Sequence, residues 1–97
     1  MSAYLIANLR VKDAALFGEY RDKVAPMIAA HGGRYLIRGG EVAAVEGDLK
    51  LERLVVLEFP SMAKLRAFYD SADYAPLIAL RQRAADGEVA LVQGYAD

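Results

Sequence analysis

The 97-residue sequence contains no cysteine, only one histidine and only three prolines. Without cysteine it cannot form a disulfide, a thiolate nucleophile, an iron–sulfur cluster or a thiolate zinc site. One histidine without an HxxxH spacing offers no metal site, and no glycine pattern of a nucleotide-binding loop is present. The sequence therefore predicts neither a metal nor a cofactor.

An excess of charge of either sign is also lacking, because 12 basic and 13 acidic residues give a formal net charge of −1. Such a balance creates no broad field that would attract nucleic acid or an acidic membrane surface. Although 56% of the residues are hydrophobic, no uninterrupted apolar run approaches the length of a membrane span. With no sign of a secretory signal, we expect a soluble, cytoplasmic protein with one domain over residues 1–97, and no nucleic-acid or membrane partner.

The order of the elements predicts the fold. Strand patterns cover residues 3–11, 34–38, 53–59 and 89–95. One helix follows an N-cap at Asp13 and ends at Gly32, and Pro26 is expected to bend or divide it. A second helical region follows a cap at Ser61, with a break at residues 71–73, whereas residues 41–52 fit a hairpin extension. The order βαββαβ is that of an α+β, ferredoxin-like sandwich, a four-stranded antiparallel sheet with helices on one face.

Alternation along the strands separates two faces of this sheet. The face expected beneath the helices carries Leu5, Ala7, Leu9, Tyr35, Ile37, Val55, Leu57 and Phe59. The opposite face combines polar side chains with Ile6, Leu36, Leu54, Val56 and Leu91. Because a contiguous apolar patch on an open sheet marks an interface, we expect a homodimer joined through this face.

Three candidate functional residues, Asn8, Arg38 and Glu58, are predicted to lie together on the open face. In a small-molecule pocket, Arg38 would hold a carboxylate or enolate oxygen, Asn8 would donate a hydrogen bond and Glu58 would act as a base. The alternative is that Arg38 and Glu58 form an ion pair that maintains the dimer. Leu54, Val56 and Glu58 occupy strand positions where an RNA-recognition module needs aromatics, which disfavours RNA binding.

Three further candidates lie on or next to the helices. His31 is the only side chain of the type that transfers protons near neutral pH, which makes it a candidate catalytic residue. Its position at a helix C-terminus also fits a structural role, in which the ring bonds the terminal carbonyl groups. Tyr74 and Arg81 could border a substrate pocket between the helices and the sheet.

Three motifs resemble those of the family catalogued as domain of unknown function 1330. They are His31-Gly-Gly-Arg-Tyr-Leu-Ile-Arg-Gly-Gly40, Arg53-Leu-Val-Val-Leu-Glu-Phe-Pro-Ser61 and Tyr69-Asp-Ser-Ala-Asp-Tyr74. The resemblance covers nearly the whole chain. It implies a dimeric α/β barrel, in a superfamily that includes cofactor-independent monooxygenases, muconolactone isomerase and haem-dependent relatives, but it implies no particular reaction.

Two functions remain open at this stage. One is an enzyme that binds a small organic molecule, such as an oxygenated aromatic or keto–enol compound, and performs proton transfer or cofactor-free oxidation. The other is a non-catalytic ligand-binding or stress-associated protein in which the same residues maintain the dimer. The sequence does not decide between them.

Overall fold

The structure, a computed structural model, describes residues 1–95. Its elements are β1 (Ala3–Val11), α1 (Ala14–Ala30), β2 (Arg34–Arg38), β3 (Arg53–Phe59), α2 (Met62–Tyr69), α3 (Ala75–Ala84) and β4 (Ala85–Gln93). The strands form one antiparallel sheet in the order β2-β3-β1-β4. The expected α+β, ferredoxin-like fold is confirmed. Within residues 1–95, no helix has both the length and the apolar character needed to cross a membrane.

Local signals set the helix boundaries. The Asp13 carboxylate accepts a hydrogen bond from the backbone N–H of Leu16 at 3.1 Å, and the Ser61 hydroxyl does the same for Lys64 at 3.1 Å. Gly32, with φ of +80°, supplies the left-handed conformation after α1. Pro26 lies inside α1, which continues to Ala30, so the proline does not divide the helix.

The core lies between the helices and one face of the sheet. The predicted alternation is confirmed for β1 and β3, whose helix-facing residues Ala3, Leu5, Ala7, Leu9, Leu57 and Phe59 are buried. They pack against helix residues that include Phe17, Val24, Ile28, Leu65 and Phe68. Each large apolar side chain buried in this way contributes about 1.5–3 kcal/mol to the free energy of unfolding.

The prediction for the faces of β2 is wrong in its second half. Tyr35 pairs with Leu57, but the register then shifts, so that Ile37 pairs with Val56 and Arg38 with Val55. An irregularity of this kind places an extra residue in one strand and reverses the alternation beyond it. Because residues paired directly across two strands share a face, Arg38 lies on the helix-facing side and Ile37 on the open side.

The last strand also differs from the prediction. It begins at Ala85 instead of residue 89 and ends at Gln93, and α3 runs into it without an intervening loop. Leu91 pairs with Leu5, so it lies on the helix-facing side and not on the open face. Residues 39–52 contain neither helix nor strand, so the expected hairpin extension is wrong.

The open face nevertheless retains an apolar patch. Ile6, Ile37 and Val92 are 37%, 41% and 42% exposed, and the partly buried Leu54 and Val56 lie on the same face. Tyr4 and Glu58 add polar atoms to this face. The open face thus carries an apolar patch, as the sequence predicts, but the patch includes Ile37 and not Leu91.

Candidate functional site

A partly open pocket lies between the helix-facing side of the sheet and helices α1 and α3, with a volume of about 40 Å³. Half of the residues that line it are apolar: Leu5, Ala7, Leu9, Phe17, Ile28, Val55 and Leu57. The other half consists only of tyrosine and arginine side chains: Tyr20, Arg21, Tyr35, Arg38, Arg53, Tyr74 and Arg81. Among the described residues, no aspartate, glutamate or histidine lines this pocket.

The inner end of the pocket is a buried hydrogen-bonded group. Tyr74 and Arg81 are 1% and 6% exposed. Arg81, two helical turns after Tyr74, reaches back along α3 and donates from Nη1 to the Tyr74 hydroxyl at 2.9 Å. The Tyr74 hydroxyl oxygen lies 2.7 Å from that of Tyr20 on α1. A buried guanidinium is thereby held next to two phenol groups.

The aromatic core holds this inner group in place. The Tyr74 ring packs against Phe68 and Tyr69, with ring centroids 4.4 and 5.5 Å apart. Burial, followed by the neighbouring Tyr20, raises the pKa of Tyr74 above its ordinary value. Tyr74 is therefore a neutral hydroxyl throughout the physiological range.

The outer end of the pocket is formed by three arginines, Arg21 on α1, Arg38 on β2 and Arg53 on β3. Within residues 1–95 none of them forms a salt bridge. Burial, followed by the positive charges of Arg21 and Arg38, lowers the pKa of Arg53. We call these three residues the arginine cluster. It is a concentration of positive charge without an acidic partner in the described part of the chain.

Two guanidinium groups of the arginine cluster pack against aromatic rings. The guanidinium carbon of Arg38 is 4.7 Å from the ring centroid of Tyr35, and that of Arg53 is 5.0 Å from the ring centroid of Phe17. The Nε atoms of Arg21 and Arg53 are buried and have no hydrogen-bond partner among residues 1–95. These are donors that a ligand could satisfy.

Gly39 permits the close position of Arg53. Its φ is +70°, and a Cβ atom at this residue would lie 3.0 Å from the guanidinium carbon of Arg53. A larger residue would strain the backbone and press on the guanidinium. The glycine that ends β2 therefore has a role in the pocket as well as in the turn.

The arrangement can bind an anion next to an apolar group. Guanidinium and phenol groups donate hydrogen bonds to carboxylates, enolates and phenolates, and charge-assisted bonds are the strongest of these. The apolar wall suits the hydrocarbon part of the same molecule. With no acidic residue or histidine in its described lining, the pocket offers no ordinary general base.

Three of the six predicted site residues, Arg38, Tyr74 and Arg81, line this pocket. Tyr74 and Arg81 lie between the helices and the sheet, where the sequence places them. The sequence predicts Arg38 on the open face. The register shift of β2 places it on the helix-facing side, where it lines the pocket. The expected ion pair between Arg38 and Glu58 does not form, and Arg34 takes the place of Arg38.

Glu58 is held as a charged side chain on the open face. Its Oε1 accepts a hydrogen bond from Nε of Arg34 at 2.8 Å, and its Oε2 lies 3.1 Å from the Tyr4 hydroxyl, which donates to it. The Arg34 hydrogen bond lowers the pKa of Glu58 from 4.5, with burial opposing this and Tyr4 adding to it. This direction is opposite to the raised pKa that a role as a base would require.

Asn8 and His31 make structural contacts outside the pocket. The Asn8 side chain donates to the carbonyl of Lys50 at 2.8 Å and accepts from the N–H of Glu52 at 3.0 Å, which ties residues 50–52 to β1. The His31 ring bonds the Met27 carbonyl through Nδ1 at 2.9 Å and packs edge-on against Phe68. These are the contacts expected of a histidine that ends a helix.

Four pocket residues, Tyr20, Arg21, Tyr35 and Arg53, are absent from the predicted site. For Arg53 a signal exists, because it shares the alternation of Val55 and Leu57 and so points beneath the helices. Tyr20 carries a weaker one, since it shares the helix face of Phe17 and Val24. Neither signal predicts that Arg21, Arg38 and Arg53 lie close together, because their proximity depends on how β2 and β3 pair.

Comparisons with known proteins agree with this fold. The family model described as "Domain of unknown function (DUF1330)" matches residues 2–95. Similar solved structures include a protein of unknown function from Rhodopseudomonas palustris, with a TM-score of 0.75 and 17% identity over 99% of this chain and 84% of that chain. A search of curated proteins found no match.

Two further structures share the fold at lower similarity. SnoaB, a cofactor-independent oxygenase from Streptomyces nogalater, has a TM-score of 0.62 and 13% identity over 99% of this chain and 95% of its own. Rv0793 from Mycobacterium tuberculosis has a TM-score of 0.57 and 17% identity over 100% of this chain and 98% of its own. At these identities the likeness concerns the fold alone.

Proposed function

The chain belongs to the family described as Domain of unknown function (DUF1330), and from that premise we propose that it binds a small organic anion in the pocket between the sheet and helices α1 and α3. The observation that carries this proposal is the arginine cluster. Its three positive charges repel one another, and no acidic side chain of the described residues compensates them. A bound anion would supply the missing charge and accept the unused hydrogen bonds.

The pocket favours a carboxylate, or the oxyanion of an enol or phenol, attached to a hydrocarbon group. A volume of about 40 Å³ has room for about three water molecules. This space fits the charged group and a short carbon chain, while any larger part of the ligand would extend outward past the arginines. Inorganic anions lack the apolar part that Phe17, Val55 and Leu57 suit.

If the protein is an enzyme, we propose that it catalyses an oxygenase or isomerase reaction on an ionised enol or phenol without a cofactor. The fold shared with SnoaB, which is named a cofactor-independent oxygenase, is compatible with it. The pocket would contribute donors aimed at the oxyanion. Because its described lining has no ordinary base, the substrate would have to ionise readily by itself.

The same lack of a base supports a second candidate function, a non-catalytic protein that binds an organic anion. Arg38, Tyr74 and Arg81 would then serve binding alone. In either form, roles for His31, Glu58 and Asn8 would have to be indirect, because none of the three lines the pocket. A cytoplasmic location belongs to the proposal as well, since the sequence has no cysteine for extracellular disulfides.

A homodimer joined through the open sheet face is part of the proposed function. The exposed side chains of Ile6, Ile37 and Val92 support it, since burial against a second copy would remove them from water. The fold supports it too, because two such sheets can close into a barrel. The pocket lies on the other side of the sheet, so each copy would contain its own.

Binding of acetate and benzoate, compared with the neutral acetamide and benzamide, tests the proposal. At ten times its Kd a ligand stabilises the fold by about 1.4 kcal/mol. That raises the melting temperature by about 5 °C or more for a domain of this size. We expect this rise for at least one carboxylate and not for its amide.

Two variants with the same loss of charge locate the binding. Arg53→Gln removes a member of the arginine cluster, whereas Arg83→Gln removes an exposed arginine of α3 that does not line the pocket. We expect Arg53→Gln to weaken carboxylate binding at least tenfold and Arg83→Gln to leave it unchanged. Equal stabilisation by acids and amides, or equal effects of the two variants, would show that the pocket is not an anion site.

A further inference from the structure

The hydrogen bonds at the inner end of the pocket have a defined direction. A guanidinium only donates, so Arg81 donates to the Tyr74 hydroxyl oxygen at 2.9 Å. Within residues 1–95, the Tyr74 hydroxyl has one other hydrogen-bond neighbour, the Tyr20 hydroxyl at 2.7 Å. A buried hydroxyl hydrogen without an acceptor is unfavourable, and Tyr74 is buried. Either hydroxyl of this pair can donate, and we assign Tyr74 as the donor because it is the more deeply buried of the two.

This direction leaves the Tyr20 hydrogen unused by the described residues. Tyr20 is only partly buried, and it lines the pocket. Its hydroxyl is the last member of a chain that starts at a buried cation, Arg81, and passes through Tyr74. In such a chain each bond polarises the next, which makes the final hydroxyl a better donor. The pocket thus contains a directed donor at its inner end.

The Phe17 ring neighbours both Tyr20 and a member of the arginine cluster. The ring centroid of Phe17 is 5.0 Å from the guanidinium carbon of Arg53 and 6.0 Å from the ring centroid of Tyr20. Tyr20 and the three arginines also line the same pocket. This shared pocket and the shared neighbour Phe17 are the basis for a ligand that contacts both.

We propose that the pocket selects organic acids that carry a second oxygen, an oxo or hydroxyl group, a few bonds from the carboxylate. The carboxylate binds the arginine cluster, and the second oxygen accepts the hydrogen bond from Tyr20. This inference rests on the proposed function and deepens it by naming the class of ligand. Tyr74 and Arg81 act on the ligand through Tyr20, as positioning residues.

Calorimetry with three pairs of acids tests this specificity. Pyruvate, acetoacetate and levulinate carry an oxo group at successively larger distances from the carboxylate, and propionate, butyrate and pentanoate are their counterparts without it. Because the spacing is unspecified, we expect at least one oxo acid to bind tenfold more tightly than its counterpart. Equal affinities within all three pairs would overturn the inference.

Variants distinguish a donor from a merely structural side chain. Tyr20→Phe should reduce the preference for the oxo acid over its plain counterpart to less than threefold. Tyr95→Phe, which changes an exposed tyrosine outside the pocket, should leave this preference at its wild-type value. Tyr74→Phe breaks the hydrogen-bond chain between Arg81 and Tyr20 and should lower the preference for the oxo acid about threefold. It provides a second test if Tyr20→Phe does not fold.

The outcomes separate this inference from the proposed function. If plain acids bind but the oxo group adds nothing, or if Tyr20→Phe keeps the full preference, the inference is wrong and anion binding stands. If none of the six acids binds but acetate or benzoate does, only the inference is wrong, and if no carboxylate binds, both are wrong.

Discussion

Arg38 lies directly opposite Val55 in the pairing of β2 with β3, and this register places it on the same side of the sheet as Tyr35 and Arg53. Without the shift, Arg38 would lie opposite Leu54 on the open face, while Arg34 would keep its position opposite Glu58. One shifted register therefore decides whether Arg38 belongs to the pocket or to the proposed dimer interface.

Arg38→Gln separates these two roles. We expect it to weaken acetate or benzoate binding about tenfold, since a charge-assisted hydrogen bond contributes about 1.5–3 kcal/mol, and to leave the molecular mass in solution unchanged. Calorimetry and light scattering measure the two effects. A change in the molecular mass in solution with an unchanged Kd for the carboxylate would show that Arg38 belongs to the dimer interface and not to the pocket.

Gly39→Ala and Gly47→Ala form a matched pair for the role of the turn after β2. Both glycines have φ near +70°, so each alanine should cost about 1 kcal/mol of unfolding free energy in a denaturant titration. A Cβ at residue 39 would press on Arg53, whereas one at residue 47 would meet nothing within 4 Å. Only Gly39→Ala should weaken carboxylate binding; an equal effect of both variants would contradict the contact with Arg53.

Glu58 should make the fold sensitive to acid. Its pKa is lower in the folded chain than the ordinary 4.5, so its charge stabilises the fold above that pH, and this contribution is lost as the pH falls through the folded pKa. Melting temperatures of wild type and Glu58→Gln should differ near pH 7, and the difference should shrink as the pH falls below 4.5. Glu46→Gln, in an exposed segment, is the control and should follow wild type throughout.

Glu58→Gln also tests the proton-transfer role predicted for this residue. Because Glu58 lies outside the pocket, we expect carboxylate binding at pH 7 to stay within twofold of wild type. A large loss of binding in a folded variant would restore Glu58 as a candidate site residue.

His31→Ala should affect stability and not ligand binding. The substitution removes the bond to the Met27 carbonyl and the edge contact with Phe68, which together stabilise the end of α1 by about 1 kcal/mol. Chemical denaturation gives the stability, and calorimetry with benzoate gives the Kd. Intact stability with lost binding would favour the catalytic or ligand-binding role that the sequence suggests for this residue.

Val92→Lys should disrupt the proposed homodimer. Val92 is exposed on the open face, where a buried lysine would lack a partner. Light scattering of the wild type should give about twice the chain mass of 10.6 kDa, and that of the variant the chain mass itself. Val45→Lys, in the exposed segment after β2, should remain dimeric. A monomeric wild type at micromolar concentration would exclude the dimer.

The fold could be predicted because its signals are local. The alternation of Leu5, Ala7 and Leu9 and the caps at Asp13 and Ser61 are each contained in a few consecutive residues. The faces of β2 and β4 could not be predicted in this way. The shift at β2 is a property of its pairing with β3, and the early start of β4 depends on how α3 meets the sheet.

The candidate site was only partly predictable for a related reason. Tyr74 and Arg81 are spaced along one helix face, so their proximity is a local property. The arginine cluster instead joins α1, β2 and β3, which are distant in the sequence. The most conspicuous polar residue, His31, has a structural position, whereas the less conspicuous Tyr20 and Arg53 line the pocket.

The direct passage from α3 into β4 restricts how a ligand can enter. With Ala84 ending the helix and Ala85 beginning the strand, there is no loop to serve as a hinge. Helix α3 therefore cannot swing away from the pocket without pulling β4 out of the sheet. The opposite side is different, since residues 39–52 form neither helix nor strand and end next to Arg53. The irregular segment therefore adjoins the arginine cluster, through Gly39 at one end and Arg53 at the other, and this is the end of the pocket that can open without disturbing the sheet.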